Sequence, residues 1–386
     1  MSAEASCASN DTVIPASAST DDERAGVAVV HHYPLATAGG ETAEVAEVAV
    51  EQGSTMETSA EEDLSMDDDF RPDDASSYSD YDDQSDASSF LSSLLSSAED
   101  YYWENGRRYH AQGGGRYLLP NDETELDRED MKHHMWMLVT SGRLHLSPIA
   151  RDPQKILDLG TGTGIWAMQM ADLYPSAEVV GTDISPVQPK WVPPNLQFEV
   201  DDLEEEWLYK PNSFDLVNVR FMFLAIKDYP AMLEQAYKAL KPGGYIEMAE
   251  LDLNPTPDPE APYAQKIFEW FKMQDVAIAR AGFDMRVAHK FKSMVRDAGF
   301  QDVEEHVFEV PWGTWPSEKR QKAIGFWHLE QLKQGLHGIA MASLTRAGWT
   351  VSEVEVYLSG LRKEMNDKNY RVLDHGYVVY GRKPLH

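Results

Sequence analysis

Lys155-Ile-Leu-Asp-Leu-Gly-Thr-Gly-Thr-Gly-Ile-Trp166 is the stretch whose reading decides the fold. Ile156 to Leu159 is a short apolar run holding one acid, which suits a buried parallel strand. Glycines at 160, 162 and 164 then allow a sharp bend and close approach of backbone to a ligand. Behind them, Ile165-Trp-Ala-Met-Gln-Met-Ala-Asp-Leu173 reads as a helix closed by Pro175. Amide groups at such a bend lie near the positive end of the helix dipole and can hold ligand groups. A dinucleotide fingerprint spaces its glycines G-x-G-x-x-G; here they fall at every second position, which disfavours NAD. Asp158, two residues before the first glycine, would repel a diphosphate and attract a cationic amino group. A ligand carrying an α-amino group fits better.

Composition divides the chain near residue 100. The first hundred residues hold 24 acids against Arg24 and Arg71, so −22 of the formal charge of −31 sits there and −9 remains for 101–386. All ten tryptophans lie in that second part. The segment 1–100, rich in Ser, Ala and acids, has too few large apolar groups to offset the entropy of ordering its backbone and reads as a disordered tail. Within it, Phe90, Leu91, Leu94 and Leu95 would share one helical face beside acidic runs, either as an interaction segment for a protein partner or as part of a solvating tail. The single cysteine, Cys7, excludes an intrachain disulfide, and no signal peptide or membrane span is evident. A cytoplasmic location is expected, with the nucleus as the alternative, although Arg107-Arg108 alone makes no import cluster. Without a Lys/Arg stripe, direct nucleic-acid binding is not expected.

Order is expected to begin at Tyr101-Tyr-Trp-Glu-Asn-Gly-Arg-Arg-Tyr-His110, an aromatic segment packed on the domain, and to continue in a helix from Asp122 to about Val139. Asp122 with Glu125 gives a capping pair, and Leu126, Met131, Met135 and Leu138 an apolar stripe. This N-terminal part spans 101–150 and the main domain 151–386. His133 and His134 adjoin and point to different sectors, so no metal site is read.

From Lys155 strands and helices alternate, the signature of a parallel sheet. Glu178-Val-Val-Gly-Thr-Asp183 ends in an acid nineteen residues after Gly164, where a nucleotide site places a carboxylate for ribose hydroxyls. Prolines 186, 189, 193 and 194 oppose a helix in the next crossover. Leu196-Gln-Phe-Glu-Val200 is followed by Asp201-Asp202, which could accept from an exocyclic amine of adenine. Phe214-Asp-Leu-Val-Asn-Val-Arg220 is the fourth strand and Tyr245-Ile-Glu-Met-Ala-Glu250 the fifth. Asn218, Arg220, Phe221 and Glu250 are rim candidates, and for Arg220 and Glu250 a structural ion pair stands beside a substrate role. The proline-rich stretch 254–262 reads as a linker into helices near 263–281 and 285–298. A strand over 301–310, a helical insertion over about 311–373 with four tryptophans, and a last strand over 375–381 complete the chain.

Ile-Leu-Asp-Leu-Gly-Thr-Gly-Thr-Gly, Val-Gly-Thr-Asp-Ile-Ser-Pro, Asp-Asp-Leu-Glu-Glu and Leu-Lys-Pro-Gly-Gly-Tyr-Ile-Glu together resemble the successive motifs of class I S-adenosylmethionine-dependent methyltransferases. Tyr117-Leu-Leu-Pro-Asn-Asp, Arg143-Leu-His-Leu, Ser185-Pro-Val-Gln-Pro and Trp191-Val-Pro-Pro-Asn narrow the resemblance to the fungal LaeA-like methyltransferases over roughly 101–386. The resemblance implies an α/β, Rossmann-like, seven-stranded sheet whose last strand runs antiparallel. It implies S-adenosyl-L-methionine as cofactor, with Asp158, Gly160, Gly162 and Gly164 at its methionine portion, Asp183 at the ribose and Asp201 or Asp202 at the adenine. A small-molecule substrate of secondary metabolism follows, or alternatively a nuclear regulator acting through a protein partner at the tail or insertion. Asn218-Val-Arg-Phe221 departs from the Asn/Asp-Pro-Pro-Tyr/Phe motif of base-amine methylating enzymes, so that chemistry is disfavoured.

Overall fold

A seven-stranded sheet forms around the glycine bend because three of its strands are apolar enough to be covered on both faces. The computed structural model describes residues 101–110 and 119–386; the tail expected over 1–100, with Cys7 and Phe90 to Leu95, and the glycines 113–115 lie outside them. The strands are β3 (Lys155–Leu159), β4 (Glu178–Asp183), β5 (Leu196–Val200), β6 (Phe214–Arg220), β7 (Leu240–Pro257), β8 (Gln301–Pro311) and β9 (Val372–Arg382). They lie in the order β5-β4-β3-β6-β7-β9-β8. The pairs from β5 to β7 are parallel, whereas β9 runs antiparallel to both β7 and β8. Ile156, Leu157, Val179, Leu216 and Val217 are fully or almost fully buried, the burial such central strands require. The order reverses between β3 and β6, so a crevice opens beyond their carboxyl ends.

The helices are α1 (Glu123–Val139), α2 (Ile165–Leu173), α3 (Tyr229–Ala239), α4 (Gln265–Arg280), α5 (Phe291–Asp297), α6 (Lys319–Arg346) and α7 (Val351–Met365). No helix bridges β4 and β5, in keeping with the prolines there. The insertion between β8 and β9 is an α6–α7 pair, with α6 packed along α1. Thr350 and Glu353 close a reciprocal capping box at the start of α7.

Several expectations need correction. The aromatic segment, for which no strand was expected, forms a hairpin, β1 (Tyr101–Glu104) and β2 (Arg107–His110), turned at Asn105-Gly106 with φ of 50° and 76°. An Asn-Gly pair accepts this left-handed geometry and matches the strand twist. The proline-rich linker begins later than expected, because β7 runs to Pro257. Pro255 and Pro257 are tolerated there since β6 stops opposite Ala249, leaving one side of β7 free of a partner strand. The helix expected near 285–298 is a 3-10 turn at Ala288–Lys290 and the short α5. On α1, Met135 is buried, but Leu126, Met131 and Leu138 are only half-buried, and the buried face is largely polar. Asp122 accepts from the Glu125 amide at 3.1 Å, while the Glu125 carboxylate turns to Arg128 at 2.6 Å instead of back to the cap. Among the described residues no helix is long and apolar enough to cross a membrane.

Candidate functional site

At the carboxyl ends of β3, β4 and β5 the chain leaves an open cleft of about 130 Å³ lined by Gly160, Gly162, Asp183, Asp201, Asp202 and Arg220, among others. A smaller recess beside it is lined by Asp158, Glu129, Lys132, His133 and again Arg220.

The three glycines have φ of 65°, 57° and 80°, yet they do different work. A Cβ on Gly160 would lie 2.1 Å from Met222 Sδ, and one on Gly164 2.3 Å from Phe198 Cζ. Around Gly162 there is open space. Gly162 therefore presents bare backbone to the cleft, while Gly164 lies under Phe198 and lets β5 close on the start of α2.

Asp183 ends β4, and its Oδ2 accepts from the Gly162 amide at 2.8 Å and its Oδ1 from the Ser185 amide at 3.0 Å. Burial, with Asp158 and Glu129 nearby, pushes its pKa up to about 6 despite those bonds. Asp158 accepts from Thr161 Oγ1 and from Asn218 Nδ2, each at 2.7 Å, the second because β3 and β6 pair Asp158 with Asn218. Burial raises its pKa as well. Asp201 Oδ1 accepts from the Asp202 amide at 2.9 Å, and Asp202 Oδ1 from the Glu204 amide at 3.0 Å, fixing both acids at the end of β5.

Arg220 and Glu250 separate. The Arg220 guanidinium carbon lies 5.6 Å from the Trp166 ring centre, and Nη2 donates to His133 Nδ1 at 3.4 Å. Among the described residues its Nε and Nη1 are buried and lack a hydrogen-bond partner. Burial, followed by the Arg220 charge, lowers the His133 pKa to about 3. The imidazole is thus neutral, and a proton on Nε2 serves the contact to Gln169 Oε1 at 3.1 Å. Glu250 is 2% exposed, and its two oxygens accept from the Phe223 and Leu251 amides, each at 3.0 Å. Burial pushes its pKa up to about 7. It clamps the loop after β6, where Phe221 sits at φ 58°, a strained backbone that brings this ring to the cleft.

The polar face of α1 escaped the sequence reading. Glu125 and Glu129 line the cleft, and Lys132 pairs with Glu129 at 2.5 Å while its Nζ lies 4.4 Å from the Phe221 ring centre. Burial lowers the Lys132 pKa. Positions 125, 129, 132 and 133 recur at three- and four-residue spacing, so a charged stripe was visible beside the apolar one. His134 meets Trp327 edge-on at 4.9 Å, away from His133's partners. Among the described residues no group of three or more His, Cys, Asp or Glu side chains could hold a metal ion.

A family model described as a methyltransferase domain matches residues 131–305. The chain is 36% identical over 302 residues to the methyltransferase pytC of Aspergillus terreus, covering 78% of this chain and 93% of that protein. It is 36% identical over 291 residues to the secondary metabolism regulator LAE1 of Cochliobolus heterostrophus, covering 73% and 95%. With the secondary metabolism regulator laeA of Aspergillus flavus it shares 30% over 301 residues, covering 76% and 80%.

Proposed function

This chain belongs to the LaeA-like methyltransferase family, and from that premise we propose that it uses S-adenosyl-L-methionine to methylate a small molecule of fungal secondary metabolism. One observation carries the reading: bare backbone at Gly162, carboxylates at the ends of β4 and β5, and a guanidinium at the end of β6 that is only partly satisfied among the described residues line one cleft. Each matches a different part of that cofactor. Asp183 would take the ribose hydroxyls, and Asp201 or Asp202 the adenine amine. The Arg220 guanidinium suits a carboxylate, which would satisfy one of its two unpartnered nitrogens. The Asp158 and Glu129 carboxylates beside Gly160 and Gly162 would attract the α-amino group. Gly164 supports this indirectly, through the packing of Phe198.

When bound, the cofactor supplies a sulfonium methyl open to in-line displacement, so alignment of the acceptor is the main demand on the protein. Phe221 and Met222, held by the Glu250 clamp, would wall the cleft and exclude water. Calorimetry on the full chain with S-adenosylhomocysteine tests the reading. Binding by the wild type that is lost in Asp183→Ala, with the variant still folded by circular dichroism, is expected; no binding by folded wild type overturns it.

Two relatives are named as regulators of secondary metabolism, which favours a second reading: the fold acts with a protein partner at the tail or the α6–α7 insertion. Nuclear location together with full biological activity of Asp183→Ala would support it over catalysis.

A further inference from the structure

Beside the cofactor cleft, α4, α6 and α7 enclose a second cavity of about 50 Å³ whose walls are almost entirely apolar. Trp270, Phe271 and Trp312 supply aromatic faces, and Leu336 and Leu361 aliphatic ones. Leu224 belongs to the walls of both spaces, so the cavity adjoins the cleft where a methyl group would be delivered. One polar side chain enters it. Gln274 on α4 is 1% exposed, and among the described residues neither its Nε2 nor its Oε1 has a hydrogen-bond partner.

A buried amide with neither end satisfied is costly, and native interiors rarely leave such a group without a partner. An apolar wall with one donor–acceptor pair is also the usual composition of a small-molecule pocket. Charged ligands are excluded, because nothing here would compensate their desolvation. We infer that this cavity receives the apolar part of the methyl acceptor, a neutral small molecule whose hydroxyl or amide group hydrogen-bonds Gln274 and so orients the acceptor toward the cleft. This rests on the methyl-transfer reading. The cavity takes a few heavy atoms as it stands, and the flexible thioethers of Met285 and Met365 in its wall can yield to a larger group. Gln274 is a positioning residue here.

The test titrates the full chain with 4-fluorophenol and 4-fluorotoluene, followed by fluorine NMR, in wild type, Gln274→Leu and the cavity-filling Leu332→Phe. Wild type is expected to prefer the phenol by about fivefold, the worth of one neutral hydrogen bond. Gln274→Leu should reverse the preference, and Leu332→Phe should weaken both probes. Circular dichroism and S-adenosylhomocysteine affinity, measured on the same samples, should stay at wild-type values. A wild type that binds neither probe, as a cavity holding only water would, overturns the inference. So does a phenol preference that survives Gln274→Leu. Loss of S-adenosylhomocysteine binding in the wild type would instead sink the methyl-transfer reading, while the probe titrations still decide whether Gln274 selects a hydroxyl.

Discussion

With Asp183 at the ribose hydroxyls as proposed, cofactor affinity should depend on pH, and Asp183→Asn should remove that dependence. Burial pushes the carboxyl up to about 6 from an ordinary 3.8. A ribose hydroxyl donates best to an ionised oxygen, so binding requires the proton to leave. From pH 5 to pH 7 the ionised fraction of a group titrating at about 6 rises roughly tenfold, and affinity for S-adenosylhomocysteine should rise by about the same factor. It should then level off above pH 7. Stability has the opposite sign. The unfolded chain gives up this proton at lower pH than the folded one, so between about pH 4 and 6 folding binds protons and stability falls as pH rises. The same burial that prepares the site therefore weakens the fold at neutral pH. Calorimetric titrations from pH 5 to 8 on the wild type and Asp183→Asn check this. An affinity flat across that range in the wild type, or an equal slope in the variant, refutes the assignment of Asp183 to the ligand.

Gly164→Ala should destabilise by about 2–4 kcal/mol, because the new Cβ meets Phe198 and must adopt positive φ. Phe198→Leu in that background should recover part of the loss in urea unfolding, since it removes the overlap but not the backbone strain. Arg220→Met should weaken S-adenosylhomocysteine binding roughly ten- to a hundredfold, with a melting temperature unchanged or higher, since a partly satisfied buried charge is removed. Asp374→Ala should lower stability by about 2–5 kcal/mol in thermal or urea unfolding. Its Oδ2 accepts from His328 at 2.9 Å and Trp312 at 2.8 Å in a fully buried site, and both donors would lose their partner.

The strand–bend–helix unit, the acid ending β4 and the acids after β5 were legible because each depends on residues adjacent in the chain, whereas the antiparallel course of the final strand followed only from the family resemblance. Apolar runs, glycine spacing and strand-end acids carry their meaning locally. The Asn105-Gly106 hairpin and the charged stripe of α1 were written in equally local signals, but a competing apolar stripe and an aromatic cluster drew the reading elsewhere. What only the tertiary structure decided is which neighbour each residue meets. Gly162 and Gly164 look alike in sequence, yet Phe198, thirty-four residues beyond Gly164, turns one into a packing position while the other faces open space. Arg220 ends β6 and Glu250 lies within neighbouring β7, yet two backbone amides satisfy Glu250 while, among the described residues, two of the Arg220 nitrogens remain without a partner. Gln274 acquired significance only when α4, α6 and α7 closed around it. Such distinctions arise from long-range packing, which local periodicity does not encode: a pattern names the face a residue occupies, and the fold determines what that face touches.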